Sequence, residues 1–171
     1  FIAAGEMLAQ EGYTSRGRIV AQGRSAGGML MGAVANMAPD LFSAIIAEVP
    51  FVDVLTTMLD ATLPLTPPEW PEWGNPITSP EDFETIRAYS PTDQVKGERY
   101  PAILAVGGLT DPRVTYWEPA KWIAQLRSRA AGGGPFVLRI DMDSGHGGAS
   151  GRFDRRKEIA RAYAFAIAGA E

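Results

Sequence analysis

The chain has 171 residues, one histidine, no cysteine, and 16 basic against 20 acidic side chains, for a net charge of −4. That length suits a single domain with a proper core. The composition excludes disulfides, thiolate metal sites and cysteine nucleophiles, and it offers neither a basic patch for nucleic acid nor a polybasic membrane anchor.

Residues 1–11 read as a helix stopped near Gly12, and "RIVAQ" (Arg18–Gln22) as a short buried strand. Small and apolar residues from Ala26 to about Met37 predict a helix packed close to a sheet and ended by Pro39. "SAIIAEVP" (Ser43–Pro50) is a second strand, and residues 60–80, rich in proline and tryptophan, read as irregular. Pro80 and the acidic pair Glu81 and Asp82 open a helix running to Ser90. "PAILAVGG" (Pro101–Gly108) is a third strand. Tyr116, Ala120, Ile123, Leu126 and Ala130 then keep helical spacing, with Trp117 and Trp122 as packing residues. "PFVLRID" (Pro135–Asp141) is a fourth strand. An alanine-rich helix closes the chain, with Ile159, Ala162, Tyr163 and Ala166 predicted on one face. Near-continuous apolar strands alternating with helices indicate an α/β fold on a mostly parallel sheet. No apolar run approaches the roughly 18 residues of a membrane span. A cysteine-free chain suits the cytoplasm and leaves the periplasm open. Phe1 opens inside a helical pattern, which reads as a piece of a longer protein.

"GRSAG" (Gly23–Gly27) fits the G-x-S-x-G pattern, in which a sharp strand-to-helix turn lifts a serine hydroxyl clear of the sheet. The predicted strand before it and helix after it supply the context that the pattern needs. A serine hydroxyl needs a base, and the one histidine, His146 in "DSGHGGAS", follows the fourth strand. The third member should be a carboxylate that fixes the imidazole tautomer. Asp141 and Asp143 are nearer His146 in sequence. Asp111, however, follows the third strand, and in a parallel sheet all strand ends share one ligand-binding edge. Ser25, Asp111 and His146 thus fall on that edge, in the chain order of α/β-hydrolases. The N–H of Ala26, at the helix start, is a candidate oxyanion donor. No early strand is present to carry a second donor.

The stretches "GRSAGG", "PDLFSAIIAEVPFVDVLTTMLD", "YSPTDQV", "YWEPAKW" and "SGHGG" resemble the C-terminal catalytic region of the oligopeptidase B branch of the prolyl oligopeptidase family of serine peptidases. The resemblance implies an α/β-hydrolase fold, with residues 1–171 its C-terminal part. It implies Ser25, Asp111 and His146 as the triad and cleavage of short basic peptides after arginine or lysine, with no cofactor and no metal. It also implies that an N-terminal β-propeller and the first hydrolase strands belong to the same protein outside this chain. The second oxyanion donor would lie in that outside region. In the resembled branch a glutamate at the place of Glu69 lines the pocket for the residue before the cut (P1), and Phe51 matches a wall aromatic. A buried core phenylalanine would look the same. Pro71 stands where the branch often has a second acid, which leaves arginine against lysine open. Two further readings remain: another α/β-hydrolase esterase or peptidase, and a truncated piece inactive by itself.

Overall fold

A computed structural model describes residues 1–170. Helix α1 (Ile2–Gln10) leads to β1 (Ile19–Arg24), α2 (Ala26–Met37) and β2 (Phe42–Glu48). The chain then makes a helical excursion through α3 (Val54–Met58), α4 (Thr66–Trp73) and α5 (Pro80–Tyr89). It returns by β3 (Arg99–Tyr100) into β4 (Ala102–Gly108), and α6 (Trp117–Arg129), β5 (Gly132–Gly133), β6 (Phe136–Asp141) and α7 (Arg152–Ala170) complete it.

The main sheet has the order β1-β2-β4-β6, every pair parallel. One row of the register runs Ala21, Ile45, Ile103 and Phe136 across it. Alternate side chains of each strand face opposite layers. Ile45, Ala47, Ile103 and Ala105 meet Met31 and Val34 of α2 and Trp122, Ile123 and Leu126 of α6. Ile46 and Leu104 meet Ala162, Phe165 and Ala166 of α7. Burial on both faces is why these strands read as unbroken apolar runs. A third cluster, Phe51, Val54, Leu55, Met58, Ile86 and Val114, lies under the helical excursion with Trp70 and Trp73 against it.

Three expectations are corrected. Residues 60–80 are not irregular, because Thr66–Trp73 is helical. Pro67 and Pro68 occupy first-turn positions whose N–H groups have no helical acceptor anyway, so only Pro71 removes a hydrogen bond. Tertiary ties hold the helix: the Thr66 hydroxyl donates to the Thr57 carbonyl at 2.8 Å and Trp70 Nε1 to the Met58 carbonyl at 3.1 Å. On α7, Ala162 is buried but Ile159 and Tyr163 are exposed. Ala162, Phe165 and Ala166 form the docking face, and its close approach needs Gly169, where a Cβ would lie 2.5 Å from that of Ala44. Trp122 is fully buried, whereas Trp117 is 42% exposed and meets Tyr116 edge-on at 5.4 Å. Among the described residues, no helix is long and apolar enough to cross a membrane.

Candidate active site

The turn after β1 is tight for reasons visible in its glycines. A Cβ on Gly23 would stand 2.2 Å from the Gly27 carbonyl oxygen, and one on Gly28 would stand 2.6 Å from Pro50 Cα. Gly27 itself faces open space. Of the two glycines in the G-x-S-x-G pattern, only the first is sterically required, and Gly28, just outside it, is the second. Gly23→Ala is therefore expected to lower stability by about 3 kcal/mol or more, while Gly27→Ala changes it by less than about 1 kcal/mol. Urea unfolding of the two variants checks this pair.

Ser25 sits at φ 56° and ψ −120°, an unusual conformation for a residue with a side chain. Its neighbours over-determine it. Its N–H donates to the Glu48 carbonyl at 2.9 Å, and its carbonyl accepts from Gly28 (2.9 Å), Met29 (3.1 Å) and Phe51 (3.2 Å). The N–H of Ala26 opens α2 and, as a first-turn donor, is left free by helix geometry.

Asp111 and His146 meet at this sheet edge. His146 Nδ1 lies 2.8 Å from Asp111 Oδ2, and the Asp111 side chain is wholly buried. Asp111 Oδ1 accepts the backbone N–H groups of Arg113 (2.8 Å) and Val114 (3.1 Å), which fix the carboxylate plane. The two loops are closely apposed: Thr110 N–H donates to the Ser144 carbonyl at 3.3 Å, and a Cβ on Gly108 would stand 2.4 Å from that oxygen. Asp141 instead accepts the backbone N–H of Asp143 within its own turn. Among the described residues no hydrogen bond joins Ser25 to His146. The Ser25 turn and the histidine loop are linked one residue earlier, where the Arg24 guanidinium donates to the His146 carbonyl and pairs with Glu48 at 3.4 Å. Arg24 therefore orders the turn.

A cavity of about 170 Å³ opens beside Ser25 and Ala26, with Phe51, Glu69, Trp73 and Glu118 among its lining residues. Trp73 Nε1 donates to Glu69 Oε2 at 3.0 Å and the Trp73 ring meets Phe51 edge-on at 5.4 Å, so the half-buried carboxylate is aimed by a packed aromatic wall. Glu72, Arg113 and Glu118 also line the cavity, and no sequence motif marks them. Glu118 had a signal: with Trp122 and Leu126 it forms an i, i+4, i+8 stripe on a helix face otherwise apolar. Burial pushes its carboxyl up to about 7, against the lowering effect of hydrogen bonds from Asp53 N–H and the Thr57 hydroxyl, with the Asp53 charge adding to the rise. Among the described residues, no group of three or more acidic or histidine side chains converges on a metal site.

A parallel sheet with helices on both faces, a strained strand-to-helix turn and a histidine–aspartate pair at the strand ends define an α/β-hydrolase fold. The family model for the prolyl oligopeptidase family matches residues 1–170, and the chain belongs to that family. It is 50% identical over 167 residues to Protease 2 of Moraxella lacunata, covering 98% of this chain and 24% of that protein. It is equally similar, 50% over 167 residues, to dipeptidyl aminopeptidase BI of Pseudoxanthomonas mexicana, covering 98% of this chain and 23% of that one. Oligopeptidase B from Leishmania major superposes with a TM-score of 0.94 at 47% identity, over 99% of this chain and 23% of that chain. Oligopeptidase B from Trypanosoma brucei with covalently bound antipain gives 0.95 at 46% identity, over 99% and 24%. The chain thus spans about a quarter of the length of the relatives it matches.

Proposed function

We propose that this chain is the C-terminal part of the catalytic domain of a serine peptidase, acting on short peptides after arginine or lysine. A propeller and the first hydrolase strands would be supplied by the same protein outside residues 1–171. The observation that carries this reading is the hydrogen-bonded Asp111–His146 pair on the sheet edge that also presents Ser25, beside a cavity with Glu69 in its wall. With Asp111 holding Nδ1, His146 Nε2 accepts the Ser25 proton as Oγ attacks the scissile carbonyl. The Ala26 N–H stabilises the oxyanion. Collapse expels the amine, which takes its proton from His146, and water activated by the same imidazole then releases the acyl group from Ser25. Glu69 receives the guanidinium or ammonium of the P1 side chain.

A fluorophosphonate probe applied to this chain and to the full-length protein, with the adduct mapped, tests the nucleophile. Labelling of Ser25 in the full-length protein supports it, and absence there removes it. Labelling of the isolated chain as well would mean that the segment assembles the triad unaided. For the pocket, Glu69→Gln is expected to lower kcat/KM for arginine substrates by roughly 10- to 100-fold, the worth of a charge-assisted hydrogen bond. Substrates with a neutral P1 residue should change far less; equal losses on both would assign Glu69 to structure. The similarity to a protein named dipeptidyl aminopeptidase favours a second reading, release of dipeptides. Product analysis on a blocked and an unblocked peptide separates the two.

A further inference from the structure

Glu118 lies in the first turn of α6, and the turns that bury Trp122 and Leu126 bury it too, to 0% exposure. Asp53 N–H donates to its Oε2 at 3.0 Å and the Thr57 hydroxyl to its Oε1 at 2.8 Å. Neither donor carries a charge. Asp53 is buried as well, and its carboxylate takes the Lys121 ammonium. Among the described residues the one ammonium thus sits on Asp53 and none on Glu118, and buried charge is costly unless matched.

The same Glu118 lines the cavity beside Ser25, together with Thr115, whose shielded hydroxyl oxygen has no hydrogen-bond partner among the described residues. A cluster short of one positive charge and a hydroxyl short of one partner thus border one cavity. Resting on the peptidase reading above, we propose that Glu118 is a specificity-determining residue of this cavity, a second negative charge that selects a cationic P1 side chain, with the Thr115 hydroxyl as a further acceptor. The other charged groups around it are Asp53 with Lys121, Glu69 and Glu72 from α4, and exposed Arg113.

Because burial pushes Glu118 up to about 7, its ionisation and cation binding are linked. An arriving guanidinium favours the carboxylate and releases a proton. Acidification restores the proton and weakens the cation's hold. A neutral P1 side chain has no such linkage.

The test uses the full-length protein and two amide substrates that differ only in P1, arginine against norleucine. The ratio of their kcat/KM values cancels every pH effect that the two substrates share. This ratio is expected to rise by about tenfold from pH 6 to pH 8, since a carboxyl near 7 goes from about one-tenth to about nine-tenths ionised over that range. Glu118→Gln should lower the ratio at pH 8 by a similar factor and flatten its pH dependence. Glu69→Gln should lower the ratio but keep the slope. A purely structural role would cut both substrates equally and leave the slope unchanged. If Glu118→Gln does not fold, the unmutated protein decides, because a flat ratio overturns the proposal. Arginine preference that is flat in pH removes Glu118 alone, whereas no arginine preference at all removes it together with the basic-pocket reading.

Discussion

Ser25→Ala is expected to abolish fluorophosphonate labelling and to lower kcat by a factor on the order of 10⁵ to 10⁶, the usual loss when a nucleophile of this kind is removed. The variant keeps a Cβ at φ 56°, so stability should hardly move. Ser25→Gly should be equally inactive yet more stable by about 1 kcal/mol, because glycine alone adopts that conformation without strain. The pair separates two roles of one residue. Loss of activity in both variants with a gain in urea midpoint only for glycine is the expected pattern. Retained turnover in Ser25→Ala would remove the nucleophile assignment outright.

Asp111→Asn is expected to cost about 10⁴-fold in kcat with the fold intact, and the reason is visible in the hydrogen bonds. Oδ1 accepts two backbone N–H groups, from Arg113 and Val114. An asparagine would keep its carbonyl oxygen there, since its amide nitrogen cannot accept. The NH₂ group must then face His146 Nδ1, which lies 2.8 Å from Oδ2 in the native site. That nitrogen becomes the acceptor, the proton moves to Nε2, and the imidazole can no longer take a proton from Ser25. The rate of fluorophosphonate labelling should fall in parallel with kcat. A loss under about tenfold would mean that Asp111 does not set the tautomer.

The strands were legible because burial on both faces leaves no polar alternation to misread, as in "AIIA" of β2 and "AILAV" of β4. α4 was not, because three prolines in eight residues speak against a helix; what holds it are contacts to Thr57 and Met58, which no local pattern announces. Asp111 could be preferred to Asp141 and Asp143 because topology, unlike sequence distance, says which strand ends share an edge. The face of α7 is legible only in part: Ala162 and Ala166 dock as expected, but the stripe continues through Phe165 and Gly169 rather than Ile159 and Tyr163. Glu118 carries little sequence signal, since a glutamate on a helix usually faces water; only its phase with Trp122 and Leu126 points otherwise.

The excursion between β2 and β3 has its own small core. Phe51, Thr57, Met58, Glu69 and Trp73 of the cavity come from it, while Ser25, Asp111 and His146 hang from the ends of β1, β4 and β6. On the peptidase reading proposed above, much of the selectivity is thus written on a different length of polypeptide from the chemistry, with Thr115 and Glu118 the exceptions. On that reading, drift or deliberate grafting within residues 50–98 would retune which peptide is accepted without disturbing how the bond is broken. Evolution can vary such a layout one half at a time, and Glu118, reaching from α6 to Asp53 and Thr57, is a rivet between the halves.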